Sequence, residues 1–314
     1  MFNEEEVCEL FFRRIEPILE AVTPDYEIIC VNDGSDDRTL EILTAANERN
    51  QRIKVIDLSR NFGKELALTA GLDYATGAAV IPIDVDLQDP PELIPEMVSL
   101  WQQGYEMVLG VREDRSADSR AKRMTANFFY KIMGRIGEIS LPANTGDFRL
   151  MDRCVVEALK RLPERTRFMK GLFAWIGFRQ AAVYYKRPQR AAAQTKWRYW
   201  RLWNFALEGI FSFTTLPLRI WTYLGFCLAL LAAAYITFVI VRTLIFGIVT
   251  PGYASLLSVV LFFSGLNMVG LGVLGEYLGR VFMETKRRPL YLVRETLGVD
   301  ERLADTTRLA RTAE

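Results

Sequence analysis

Along the first 185 residues, short apolar runs alternate with longer stretches in which apolar positions recur every third or fourth residue. Val7, Leu10, Phe11, Ile15, Ile18 and Leu19 follow a 3.6-residue period and predict an opening helix. It begins so close to Met1 that no signal peptide is expected. Residues 26–31 read as a strand, and the turn cluster Asn32-Asp33-Gly34-Ser35-Asp36-Asp37 feeds a helix over 38–50. A second strand over 53–58 passes through Ser59-Arg60-Asn61-Phe62-Gly63-Lys64 into a helix ending near Tyr74. Residues 79–83 predict a third strand, 92–103 a helix and 106–111 a fourth strand. Helices over 152–161 and 167–175 and a strand over 180–185 complete the series. Such alternation predicts an α/β domain with a mostly parallel, Rossmann-like sheet covered on both faces.

After Arg187 the pattern changes. Arg190, Lys196, Arg198 and Arg201 interleave with Trp197, Tyr199, Trp200, Trp203 and Phe205, the composition of amphipathic helices at a membrane interface. Nucleic-acid binding is the rival reading of basic residues mixed with aromatics, but two long apolar runs nearer the C-terminus decide against it. Residues 220–246 are apolar except for Arg242, and 253–276 are apolar and uncharged as far as Leu274. Each run has the roughly 20 residues needed to cross a bilayer, so two transmembrane helices are expected. Lys196, Arg198, Arg201 and Arg219 precede the first span, and Arg280, Lys286, Arg287 and Arg288 come after the second. By the positive-inside rule both chain ends are cytoplasmic. Gly265, Gly270, Gly272, Gly275 and Gly279 stud the second span and predict a close helix-packing face and a homo-oligomer. The expected division is a cytoplasmic domain over 1–187, juxtamembrane helices over 188–219, spans within 220–279, and a cytoplasmic tail over 280–314, all integral to the cytoplasmic membrane.

Composition narrows the chemistry. With 50% hydrophobic residues and 12% aromatics the chain is not disordered, and a net charge of +1 argues against nucleic acid as the main partner. Histidine is absent from all 314 residues. That removes Ser-His-Asp and Cys-His nucleophile schemes and His-ligated zinc, leaving carboxylates, Arg and Lys. Cys8, Cys30, Cys154 and Cys227 form no CxxC pair and read as buried thiols in a reducing compartment.

The stretch Ile81-Pro82-Ile83-Asp84-Val85-Asp86-Leu87-Gln88-Asp89-Pro90-Pro91 carries the strongest candidate chemistry. Residues two apart on an extended segment point the same way, so Asp84 and Asp86 can present oxygens to one divalent ion, Mg or Mn. A solvated acidic turn, with Asp89 capping the next helix, is the plainer reading. Ligands of open α/β sheets bind beyond the carboxyl ends of the strands. Asp33, Lys64, Asp84, Asp86 and Arg112 all lie at or just past such ends, which favours the metal site. A basic helix over 120–135, with Met124, Phe128, Phe129, Ile132 and Met133 as its apolar stripe, offers Arg and Lys to phosphates. Gly146-Asp147 reads locally as a turn.

Phe2-Asn3-Glu4, Val31-Asn32-Asp33-Gly34-Ser35, Asp84-Val85-Asp86-Leu87-Gln88-Asp89-Pro90, Gly146-Asp147-Phe148-Arg149-Leu150 and Gln194-Thr195-Lys196-Trp197 together resemble the family 2 glycosyltransferases of GT-A fold. Within them the chain is most similar to the polyisoprenyl-phosphate group, which includes dolichol-phosphate mannose synthase and bactoprenol glucosyltransferase. The resemblance extends to about Leu292. It implies that Asn3, Glu4, Asp33, Lys64 and Asp84 serve the nucleotide, that Asp86 and Gln88 hold the metal, and that Asp86, Asp147 and Arg149 belong to the catalytic centre. It further implies that Arg112, Lys122, Arg187, Arg190 and Lys196 gather phosphates, the last three at the lipid.

Three departures stand out. The family has a hydrophobic strand ahead of Phe-Asn-Glu, and Met1 sits where that strand should be ending, so a late start or a truncated chain is expected. Val85 replaces a smaller residue, with little effect expected because its side chain should point away from the metal. Ala193 stands where the family often has glycine.

The resemblance implies inverting, metal-dependent transfer of a hexose to polyprenyl phosphate. Glucose from UDP-glucose is favoured because Arg165-Thr166-Arg167-Phe168-Met169-Lys170-Gly171 resembles the bactoprenol glucosyltransferases. Mannose from GDP-mannose, an amino sugar from its UDP derivative, a processive polysaccharide synthase and a non-catalytic nucleotide-sugar scaffold are the alternatives.

Overall fold

The computed structural model describes residues 1–113, 145–162, 164, 165, 167, 169–186, 216–246 and 252–299. The chain opens with α1 (Cys8–Val22), β1 (Ile28–Asn32), α2 (Thr39–Arg49), β2 (Ile53–Leu58), α3 (Lys64–Tyr74) and β3 (Ala79–Val80). A 3-10 turn, Pro91–Leu93, leads into α4 (Ile94–Gln102), then β4 (Met107–Arg112), β5 (Thr145–Asp152), α5 (Arg153–Lys160), α6 (Met169–Trp175) and β6 (Gln180–Tyr185). Two long helices, α7 (Leu216–Phe246) and α8 (Tyr253–Thr285), precede a last strand, β7 (Val293–Leu297).

The strands form two sheets, ordered β1-β2-β7 and β3-β5-β4-β6. The pairs β1–β2 and β4–β6 are parallel, whereas β2–β7, β3–β5 and β4–β5 are antiparallel, so the mostly parallel sheet expected from the alternation is corrected to a mixed one. Two antiparallel strands cause the difference. Gly146-Asp147, which reads as a turn in sequence, lies inside β5, and the supposed tail returns to the domain as β7. Met1 runs beside β1: its amino group donates to Val31 O and its carbonyl accepts from Asp33 N, each at 2.8 Å.

Helices do cover both faces of each sheet. Phe11, Phe12 and Ile15 of α1 and Leu43 of α2 pack on Ile28, Cys30, Ile53 and Val55, while Ala67, Ala70 and Tyr74 of α3 meet Val31, Ile56 and Leu58 on the other side. In the second sheet Met97 of α4 packs on Val108, Phe148 and Leu150, and α5 and α6 bury Val155, Val156, Leu172 and Phe173 against Met107, Leu109 and Met151. Ile81 and Ile83 touch both the α1 core and the α4 core and join the two sheets. Each such fully buried aromatic or aliphatic side chain contributes on the order of 1.5–3 kcal/mol.

The helix α7 has 31 residues and α8 has 33. Among the described residues no helix is long and apolar enough to cross a membrane, so the expectation of two spans is not met on that measure. The side chains that are described are turned outward: Phe226, Leu230, Leu231, Tyr235 and Phe238 on α7, and Phe262, Met268, Val269 and Leu278 on α8, are all exposed. Glu276 pairs with Arg280 at 3.0 Å. The basic helix over 120–135 and the interface helices after Arg187 fall outside the described residues.

Candidate active site

The site forms where β1 and β2 end, where the antiparallel β5 begins and where the chain leaves β3. Its floor is the loop after β2. Asp33 is buried, and its carboxylate accepts from Phe62 N at 2.7 Å and Gly63 N at 2.9 Å. Gly34, at φ 68°, lets Arg60 and Asn61 approach so closely that a Cβ there would lie 2.5 Å from the Arg60 carbonyl carbon. Only glycine tolerates both conditions. The loop is thereby pinned to the end of β1, and Lys64 emerges from it as the first residue of α3.

Asn3 and Glu4 lie against the same end of β1. The Asn3 side chain accepts from Asp36 N at 2.9 Å, and Glu4 N donates to Thr39 Oγ1 at 2.9 Å. Asn3, Glu4, Asp33 and Lys64 are therefore gathered around one loop cluster. Asp33 acts there as an anchor for backbone amides, which its place at a strand end does not by itself suggest.

The acidic stretch departs from the extended geometry expected of it. The strand ends at Val80 instead of Ile83, since Pro82 has no N–H to give to a ladder. Leu87 takes φ 58°, a left-handed conformation rare for a branched apolar residue, and marks strain of about 1–3 kcal/mol. The turn it makes brings Gln88 N to Asp86 Oδ1 at 3.1 Å. Val85 and Leu87 point into the α1 core, as expected for Val85. Asp84 and Asp86 consequently have different partners: Asp84 turns to Lys64, and Asp86 to the backbone of Gln88.

Among the described residues no group of three or more His, Cys, Asp or Glu side chains could hold a metal ion. The residues present nevertheless fit a hard divalent cation. Asp86 supplies a carboxylate, and Gln88, only 7% exposed, has its Oε1 buried without a hydrogen-bond partner. Magnesium and manganese take one or two such oxygens when substrate phosphates complete their shell.

Lys64 is the electrostatic centre. Its Nζ lies 2.8 Å from Asp84 Oδ2 and 2.8 Å from Asp147 Oδ2. Burial disfavours its charge, but the two carboxylates outweigh that and hold the ammonium above its usual range. Burial likewise opposes ionisation of Asp147, yet Lys64, with Lys170 and Arg149 behind it, holds the carboxyl below its ordinary value. The next residue of α3, Glu65, has the opposite fate. Burial, reinforced by Asp147, pushes it up to about 7, although its carboxylate accepts from Met169 N at 3.1 Å.

Asp147 and Arg149 lie in β5 where its pairing with β4 is irregular: Leu109 pairs with Arg149 and Val111 with Thr145, so β5 advances four residues while β4 advances two. Arg149 is buried: its guanidinium donates to Gly146 O at 2.6 Å and lies 3.9 Å over the Phe173 ring, and burial brings its pKa down to about 10. It braces the backbone behind Asp147. Arg112 stands beside the start of β5, where a Cβ on Gly146 would come within 3.1 Å of its guanidinium. It is held by Tyr185 Oη at 3.2 Å and Asp89 at 3.5 Å. Asp89, expected to cap the helix after Pro90, instead accepts from Tyr185 Oη at 2.6 Å, and Pro90 occupies the cap position. Spacing gives no sign of the Tyr185–Asp89–Arg112 cluster or of the Lys64–Asp147 contact, both of which join distant segments. Lys122, Arg187, Arg190 and Lys196 lie outside the described residues.

Comparison with known proteins agrees with this arrangement. The sequence pattern of glycosyl transferase family 2 matches residues 1–160. A glycosyltransferase of Synechocystis sp. is 57% identical over 96% of this chain and 94% of its own length. A prophage bactoprenol glucosyl transferase homolog of Escherichia coli is 50% identical over 94% of this chain and 96% of its own length. The bactoprenol glucosyl transferase of Shigella phage SfX is 48% identical over the same shares, 94% and 96%. An α/β domain with carboxylates, an amide oxygen and a lysine gathered at its strand ends thus carries both the family pattern and end-to-end likeness to its members, and the chain belongs to glycosyl transferase family 2.

Proposed function

We propose that the chain transfers glucose from UDP-glucose to a polyprenyl phosphate of the undecaprenyl type, with inversion at the anomeric carbon. The observation that carries this reading is the likeness to bactoprenol glucosyl transferases at about half identity over nearly the whole of both chains. The site suits such chemistry, since a sugar-diphosphate donor needs cations and an oxygen-ligated metal where charge develops on the leaving group.

In this reading Asp86 and Gln88 hold Mg or Mn, which when bound neutralises charge on the departing nucleotide diphosphate. Asn3, Glu4, Asp33 and Asp84 shape the nucleotide pocket, Asp33 by fixing the loop at Phe62 and Gly63. Lys64 holds Asp84 and Asp147 in place and offers its charge to the donor's phosphates. Asp147 orients the acceptor. A lipid phosphate is already an anion near neutral pH, so its attack on the sugar requires little removal of a proton. Arg149 fixes the backbone of Asp147, and Arg112, Lys122, Arg187, Arg190 and Lys196 draw phosphates to the membrane side.

The sequences of α7 and α8, taken whole, support two membrane spans at 220–246 and 253–276. A helix of 31 residues is about 46 Å long, more than the roughly 30 Å hydrocarbon core requires. Basic flanks favour a cytoplasmic catalytic domain and cytoplasmic chain ends, and the five glycines favour association of copies through α8.

Incubating membranes that contain the protein with labelled UDP-glucose or GDP-mannose, then extracting lipid, tests the reading. Label from UDP-glucose in the lipid is the expected result. Label from GDP-mannose alone would replace the sugar, and label from neither would overturn the function.

A further inference from the structure

A cavity of about 330 Å³ opens beside Lys64. Phe62, Gly63, Lys64, Glu65 and Leu66 form one wall, and Arg165 and Arg167 form the other. Three of these seven residues are cationic and one is acidic. The acid, Glu65, has its carboxylate turned to Met169 N, and burial moves its pKa to about 7, so it opposes an anion weakly.

The two arginines differ in their work. Arg167 is 7% exposed and donates to the carbonyls of Leu162 and Glu164, which stiffens the segment on which Arg165 sits. Arg165 is fixed from outside the domain: its backbone N–H donates to Glu284 Oε1 at 2.8 Å. Glu284 lies in the last turn of α8. It comes eight residues after the proposed end of the second span, about 12 Å along the helix. Headgroups extend the bilayer by roughly 5–7 Å on each side beyond its hydrocarbon core. Arg165, which lines the cavity, therefore stands just outside the headgroup layer, and the same cavity is lined by the lysine that touches Asp147.

We propose that this cavity receives the phosphate of the lipid acceptor, with Arg165 as its principal cation and Glu284 as the residue that positions Arg165 from the membrane helix. The ligand class is a phosphate monoester of a long-chain alcohol. An arginine fork suits it, because guanidinium and phosphate pair through two parallel N–H···O bonds. The inference rests on a polyprenyl phosphate being the acceptor and adds the place where that acceptor binds.

The test uses the full-length protein in detergent with UDP-glucose and undecaprenyl phosphate, comparing wild type with Arg165→Ala, Arg165→Lys, Glu284→Ala and Glu284→Gln. Loss of one charge-assisted contact raises the KM for undecaprenyl phosphate about tenfold in Arg165→Ala, with the KM for UDP-glucose held within about twofold. Arg165→Lys recovers part of the loss. Glu284→Ala reproduces it, and Glu284→Gln does not, because the amide keeps an acceptor for Arg165 N–H. Inorganic phosphate competes with the lipid in wild type and less well in Arg165→Ala. A raised KM for UDP-glucose with an unchanged lipid KM would assign the cavity to the donor and overturn the proposal.

Should wild type transfer no glucose to undecaprenyl phosphate, the function fails first, and binding then decides the cavity. Farnesyl phosphate, but not farnesol, binds wild type and is lost in Arg165→Ala if the cavity takes a phosphate monoester. Equal binding to both proteins overturns it.

Discussion

The Nζ of Lys64 and Oδ2 of Asp147 lie 2.8 Å apart, and the same ammonium reaches Asp84 at 2.8 Å. One lysine thus holds the start of β5 to the stretch that comes after β3, and two carboxylates are kept close without mutual repulsion.

Replacing Lys64 with Met breaks that link. Turnover falls on the order of 10²-fold, the scale for removing one preorganised charge contact from a reaction site. Asp147 also loses the partner that lowers its pKa. A carboxyl with a depressed folded pKa contributes stability above its unfolded value, and that contribution disappears as the pH falls through the folded value. Lys64→Met raises the folded value, so acid unfolding starts at a higher pH than in wild type. Circular dichroism along an acid titration measures this. An unshifted acid transition would show that Lys64 does not hold Asp147.

Asp147→Asn tests whether that residue positions or takes a proton. Its charge is already committed to Lys64, and a lipid phosphate needs no strong base. Turnover is expected to fall roughly 10- to 100-fold, the range for one oriented group, with the pH profile keeping its shape. Loss of an ionisation from the acidic limb would make Asp147 a base instead, and unchanged turnover would remove it from the site.

Much of this arrangement is legible before any coordinates. The helical period of Val7, Phe11 and Ile15 and the apolar runs at β1, β2, β4 and β6 mark those elements because their burial follows simple periodicity. Asp86 and Gln88 are visible as a motif. Two kinds of feature are hidden. Edge strands such as β7, with the sequence Val-Arg-Glu-Thr-Leu, have no apolar run, since one side faces water and charges discourage further pairing. Contacts between remote segments, such as Tyr185 with Asp89 or Arg165 with Glu284, arise from the way the sheets are assembled and leave no local spacing to read.

Metal dependence should track Asp86 and Gln88. Chelation by EDTA abolishes transfer, and added Mg or Mn restores it. Gln88→Ala raises the metal concentration for half-maximal activity by about 10- to 100-fold, the usual consequence of weakening a metal's immediate surroundings. Asp86→Ala, folded by circular dichroism, has no transfer; retained transfer would deny the site its metal.

Glu65 supplies a stability prediction whose sign is fixed by its environment. Burial raises its folded pKa to about 7, so the folded state prefers the protonated form. The stability this gives is complete below the ordinary glutamate value and is lost as the pH rises through about 7. Glu65→Gln stays uncharged throughout and keeps an oxygen for Met169 N–H. Wild type and variant should therefore be nearly equal near pH 4.5, with the variant gaining as the pH rises and leading by on the order of 2–3 kcal/mol above pH 8. Denaturant unfolding at a series of pH values measures the difference. A gap that does not change with pH would mean that Glu65 titrates in the folded protein as it does in the unfolded chain, the Met169 N–H, Lys64 and Lys170 together offsetting the burial that opposes its charge.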